Sequence, residues 1–392
     1  MDDLQKRIEE ITPEIQEFRR ELHQYPEPAF EEEKTAARVV ARLQKIPGIQ
    51  IIEGVAKTGV VATIGADKSG PCVGLRADMD CLRMVEKNSF DHCSQNDGLM
   101  HACGHDGHTA SLVGAALVLG QIQDELQGPV KCIFQPAEEN HGGAKVMLDE
   151  GVLENPKVDA IFGMHGTTAL PLNHIGLRDG ALMAASRYFT ITIHGRGCHA
   201  ASPHRGIDPV LIGSQIICSL QSIVSRNVGP QDSALISIPK FTGSTAPNVI
   251  PEKVTLEGTL RALSDTNRAM LEKRLQEMVE HTAAAYGGSA EIAYYGGYPL
   301  LENDTDSARF VEKVASGFLD EKAIDMNLPP SMGAEDFAFY LQEIPGAFLW
   351  LGLQPEGEPA PSLHHPCFDF NDNAIPAAIR MHCEIARTFN LS

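Results

Sequence analysis

Short apolar runs at 59–64, 72–76, 130–134 and 160–164 alternate with helical patterns that include 109–119 and 143–149. Strands separated by helices are built into a largely parallel sheet with helices on its faces, so this rhythm predicts a layered α/β domain. Two further amphipathic stretches, at 1–22 and 34–45, precede the first run. Near residue 185 the rhythm breaks. Residues 187–193 alternate like a half-exposed strand, 208–225 read as a helix entered through Asp208-Pro209, 234–241 and 254–262 as strands, 267–286 as a helix and 290–295 as a last strand. That order is β-α-β-β-α-β, a ferredoxin-like unit. After Pro299 the α/β character returns, with helices expected at 307–318, 335–342 and 375–389 and a strand at 347–353. At 392 residues the chain is too long for one ordinary core. The expected fold is a catalytic α/β domain with a mostly parallel central sheet, made from 1–184 and 298–392. A ferredoxin-like α+β lid or dimerisation module is inserted at 185–297.

Charge narrows the possible partners. Lys and Arg number 32 against 52 Asp and Glu, a formal net charge of −20. Phosphate backbones and anionic lipid surfaces would repel such a chain, so neither nucleic acid nor membrane is expected as a partner. No apolar run approaches transmembrane length, and the polar opening Met1–Lys6 does not resemble a secretory signal. The nine cysteines are scattered, with no CxxC pair, which suits reduced thiols in the cytoplasm.

The histidines cluster. In Met100-His101-Ala102-Cys103-Gly104-His105-Asp106-Gly107-His108, Cys103 and His105 are two apart and would share a face of an extended segment. A thiolate beside an imidazole suits Zn, Co, Ni or Mn; a buried Cys beside capping histidines is the plainer alternative. Gln135-Pro136-Ala137-Glu138-Glu139 follows an apolar run, where α/β sheets place ligands. One carboxylate could bind metal and the other move a proton, unless the pair is a solvated helix start. His165 closes the run 160–164, and Leu363-His364-His365-Pro366 follows a Pro/Gly-rich loop. Arg76-Ala77-Asp78-Met79-Asp80 offers acids that could ligate metal, orient a ligand histidine or cap a helix. Together these segments supply enough donors for two ions in one site. A cysteine hydrolase with Cys103 as nucleophile is a rival reading, and a non-enzymatic metal-binding paralogue is another.

These segments resemble the metallo-aminoacylase and carboxypeptidase superfamily. The closer similarity is to its amidohydrolase branch of hippurate hydrolases, N-acyl-L-amino-acid amidohydrolases and auxin-conjugate hydrolases. The similarity runs along nearly the whole chain, including 197–204, 247–251, 258–261 and 332–337. It implies a dinuclear metal-dependent amidohydrolase that cleaves N-acyl-L-amino acids, with small-peptide carboxypeptidase or dipeptidase activity as the alternative. Carried over by position, the ligands to two divalent ions would be Cys103, His105, Glu139, His165 and His364, with Cys103 shared and His365 the competitor for the last place. Glu138 would be the general base toward a metal-activated water, and Asp80 would steady a ligand. His199 would stabilise the oxyanion, Asn248 would assist, and Arg261 would hold the substrate carboxylate. By themselves the last three read as a surface His, a turn Asn and a strand Arg. The resemblance also implies a homodimer through the inserted module and a small-molecule substrate. The family usually carries proline where this chain has Arg83. Arginine there could loosen the loop or draw preference toward an acidic substrate.

Overall fold

The computed structural model describes residues 2–244, 246–357 and 359–390. The chain divides into two compact units. The first comprises Met1–Leu182, Glu302–Pro329 and Asp336–Ser392, and the second Met183–Leu301 with Pro330–Glu335. The segment 330–335, placed by the sequence reading with the flanking domain, thus groups with the second unit.

An eight-stranded sheet organises the first unit, in the order Gln50–Val55, Gly59–Ile64, Val130–Gln135, Cys72–Asp78, Val158–Pro171, Gly346–Gln354, Ile175–Gly176 and Ile324–Asp325. The four central strands run parallel, and antiparallel partners flank them on both sides. Three of the four central strands are buried along almost their whole length, as a sheet covered on both faces requires. The strand at 50–55 escaped the sequence reading because it lies at the sheet edge, mostly exposed, and carries no apolar run.

Three local differences bear on function. The strand containing His165 continues to Pro171, so this histidine lies within a strand, opposite Trp350, and not at a strand end. The helix expected at 335–342 is a single turn, Ala338–Leu341. The helix expected at 109 begins at His105 and runs to Gln121, buried on nearly every side. Packing sets that start: the helices Asp3–Gln24 and Ile375–Thr388 lie against it, and a helix covered all round needs no polar stripe.

The second unit has a four-stranded antiparallel sheet in the order Ala234–Thr242, Lys253–Ala262, Ala185–His194, Ser289–Tyr295. In the strand Lys253–Ala262 every second residue is buried, which marks a sheet covered on one face. Its helices Pro209–Asn227 and Asp265–Ala285 meet that face with Ile212, Ile216, Leu220 and Ile223, and with Leu271, Leu275, Val279 and Ala283. Spacings of three and four place each set on one helical stripe.

Gly107 sits where the buried helix passes Phe370; a Cβ there would come 2.3 Å from the ring. Gly107→Ala should therefore destabilise the chain by about 1–3 kcal/mol, read as a lower denaturation midpoint. An unchanged midpoint would mean the ring moves aside freely.

Candidate metal centre

Local backbone geometry assembles the donors. Gly104 is left-handed (φ 88°) and caps the buried helix, so the chain turns sharply between Cys103 and His105. Extended alternation does not explain their convergence; this turn does. Beyond the strand Val130–Gln135, Ala137 is also left-handed (φ 56°), and Glu138 and Glu139 open a one-turn helix. Gly143 closes this turn: its N–H donates to the Ala137 carbonyl at 3.0 Å, and a Cβ there would come 1.8 Å from the Pro136 carbonyl.

The histidines divide by what their ring nitrogens do. In His165, Nδ1–H donates to the Gly166 carbonyl (2.8 Å) and Nε2 faces Cys103 Sγ at 3.4 Å. His105 Nδ1–H donates to the Asp80 carbonyl (2.9 Å) and lies 3.2 Å from its Oδ1. Its Nε2 is buried without a hydrogen-bond partner. His364 Nε2 lies 3.2 Å from Cys103 Sγ and 3.3 Å from Glu139 Oε1. A left-handed backbone (φ 62°) aims this half-exposed ring, a conformation rare outside glycine that tends to occur at functional sites. His365 instead accepts from the Cys367 N–H through Nδ1 (3.1 Å), and so turns to its own loop.

His108 is committed elsewhere. Its Nδ1–H donates to Asp78 (2.7 Å) and its Nε2 accepts from the Gly166 N–H (2.8 Å). Asp78 is tied too, by Arg76 at 2.7 Å. The same arginine reaches Gln135 and Asp336, all fully buried. Although Asp78 and His108 lie within ligand distance of His105 and His165, this pairing satisfies them. Side chains with a donor atom still able to coordinate remain at Cys103, His105, Glu139, His165 and His364. Cys103–Glu139–His364 and His105–Glu138–Glu139 each bring their atoms within 4.8 Å of one another. Asp80 accepts from the N–H groups of Glu138 and Glu139, both at 3.0 Å.

The protonation energetics suit a cation. Burial, then Glu139, Glu138 and Asp78, hold the Cys103 thiol well above its ordinary range. A nucleophilic cysteine needs the opposite shift, so this setting speaks against the cysteine-hydrolase reading. Burial opposes charge on His105, but Asp78 and Asp80 outweigh it and raise the imidazole to about 10. Burial and His108 keep His165 neutral, its basicity well below normal. Burial would raise Glu139, yet His364 and His105 bring it down. Thiol, imidazoles and carboxylate thus fit a divalent ion that supplies the missing positive charge.

The remaining positions lie apart in sequence, within the second unit. His199 is exposed on the two-residue strand Cys198–His199, paired opposite Val249. Its Nδ1 accepts from the Ala201 N–H (3.0 Å), so the neutral ring carries its proton on Nε2. The Asn248 carbonyl accepts from the Ala200 N–H (3.0 Å). Arg261 is half-buried and donates to the Met332 carbonyl (2.8 Å). In the first unit, Arg83 pairs with Glu31 at 3.0 Å, both exposed. Such an exposed pair is a weak interaction.

The sequence matches the family model described as Peptidase family M20/M25/M40 over residues 74–388. N-acetyl-L-cysteine deacetylase of Bacillus subtilis (strain 168) is 41% identical over 358 residues, 91% of this chain and 84% of that protein. The IAA-amino acid hydrolase ILR1-like 4 of Arabidopsis thaliana is 41% identical over 380 residues, 95% and 85% of the two chains. Among solved structures, the YXEP protein of Bacillus subtilis is described as a dinuclear metal binding peptidase from the M20 family. It superposes with a TM-score of 0.83 at 35% identity, over 97% of this chain and 98% of that one.

At pH 7.5 the thiol of Cys103 and the imidazolium of His105 should both carry protons that a metal must displace. Loading should release both, seen as binding heats that change with the ionisation enthalpy of the buffer. Loading without proton release would contradict this assignment. The match of motifs, fold and donor set makes this chain a member of peptidase family M20/M25/M40, a metal-dependent amidohydrolase.

Proposed function

We propose that this chain hydrolyses the amide bond of N-acyl-L-amino acids with two divalent ions per subunit, drawn from Zn, Mn, Co or Ni. One observation carries the reading: five side chains able to coordinate lie in overlapping clusters, one of which joins His105 and Glu139 to the buried carboxylate of Glu138. Cys103, His105, Glu139, His165 and His364 would hold the ions, with Cys103 common to both. Ions bound there supply Lewis acidity and lower the pKa of nearby water.

Glu138 is the general base. It takes the proton of the attacking water and delivers it to the leaving amine nitrogen. Asp80 acts by orientation: it accepts from the backbone of both glutamates and from His105, and so fixes base and ligand together. His199, with its proton on Nε2, is suited to donate to a developing oxyanion. Asn248 assists it, and Arg261 holds the substrate carboxylate with donors not used on Met332.

The relatives named as hydrolases of N-acetyl-L-cysteine and of indole-acetyl amino acids support a small acylated amino acid as substrate. A homodimer through the second unit is supported by the edge position of the strand Ala234–Thr242 and by exposed Phe241, Val210 and Leu211. None of the nine cysteines is in a disulfide, in keeping with a cytoplasmic location. Among the described residues no helix is long and apolar enough to cross a membrane.

The test is amine release from N-acetyl, N-benzoyl, N-succinyl and indole-acetyl amino acids, with dipeptides alongside, by chelator-treated and metal-reloaded protein. Glu138→Gln should keep its metal and lose about 10²–10⁴ in kcat. Turnover that survives Glu138→Gln, or that needs no metal, would overturn the reading; cleavage of dipeptides alone would redirect it to peptidase activity.

A further inference from the structure

Glu32 lies more than a hundred residues from the glutamate pair in sequence and is fully buried. One carboxylate oxygen accepts from the Ala137 N–H at 2.9 Å, and the other accepts from the Thr58 hydroxyl at 2.5 Å. No cation among the described residues pairs with it. Ala137 is the left-handed residue immediately before Glu138. Alanine resists that conformation because its Cβ crowds the following carbonyl, so something must hold it there. From the other side the turn is held through the Ala137 carbonyl by Gly143. Removing the Glu32 side chain would leave a buried N–H without a partner and the backbone free to relax toward an ordinary conformation. Because Glu138 and Glu139 follow directly, such relaxation would swing both carboxylates.

We infer that Glu32 is a positioning residue: it holds the left-handed turn at Ala137 and thereby aims Glu139 at the metal and Glu138 at the reacting water. This rests on the two-metal reading above. Thr58 acts one step further out by orienting the Glu32 carboxylate. Glycine takes up the left-handed conformation without the steric cost, so Ala137→Gly should compensate for loss of Glu32. A side chain that merely fills the core could not be replaced in this way.

The experiment is titration of chelator-stripped protein with Co²⁺, followed by its visible and thiolate absorption, together with thermal denaturation of the metal-free proteins. Glu32→Ala should weaken Co²⁺ binding about 10–100-fold, and Glu32→Gln, which keeps an acceptor for the Ala137 N–H, should retain most of it. Ala137→Gly in the Glu32→Ala background should restore about tenfold in affinity without restoring the melting temperature. If Glu32→Ala does not fold, Thr58→Val with and without Ala137→Gly makes the same comparison, with a smaller first loss. Affinity that is unchanged in Glu32→Ala, or that never recovers with Ala137→Gly, would overturn the role of Glu32 while leaving the metal centre in place. Failure of the wild-type protein to bind Co²⁺ would overturn the two-metal reading together with it.

Discussion

A single buried carboxylate ties the site together. Asp80 accepts from the backbone N–H groups of Glu138 and Glu139 and from the ring of His105. These groups come from the end of one strand and the start of a buried helix, and Asp80 itself follows a neighbouring strand. Parallel strand pairing brings the segments to the same edge of the sheet, where open α/β sheets place their ligands. Rotation of the Asp80 carboxylate would release the backbone of both glutamates, while the Asp80 carbonyl would still hold the His105 ring.

Around this hub, hydrogen bonding separates residues that coordinate from residues that hold. His108 and Asp78 have the right chemistry and lie close to the donor cluster, yet Arg76 and the Gly166 N–H use up their capacity. His105, His165 and His364 keep one ring nitrogen turned toward the cluster. Carboxylates and other donor groups gathered in a buried place are costly unless a cation joins them. The Cys103 thiol, held protonated by burial and then by its carboxylate neighbours, records that cost and marks where positive charge belongs.

Much of this was legible in the sequence because the chemistry is concentrated in short runs. Three histidines and a cysteine within 100–108, and adjacent glutamates after an apolar run, announce a metal site before any fold is known. Periodicity found the antiparallel unit because strands of its one-sided sheet such as Lys253–Ala262 and Ser289–Tyr295 alternate in burial. It did less well with the buried segments. The strand through His165 was cut short because its polar continuation, Gly166-Thr167-Thr168, ends the apolar signal while the hydrogen bonding continues. The reason Cys103 and His105 converge was misread because a left-handed glycine has no signature beyond being glycine. His364 and His365 are identical in composition and differ in a backbone angle that only folding fixes. Glu32 gave no signal, since its partner is a backbone N–H a hundred residues away.

The central claim is that Cys103 and its neighbours form a metal centre. X-ray absorption at the edge of the bound metal tests this most directly, in the reloaded wild-type protein and in Cys103→Ser. The account predicts a sulfur scatterer at about 2.3 Å for zinc, joined by nitrogen and oxygen, and its disappearance in the variant. A metal bound with no sulfur neighbour in the wild-type protein, or a spectrum unchanged by Cys103→Ser, would contradict it.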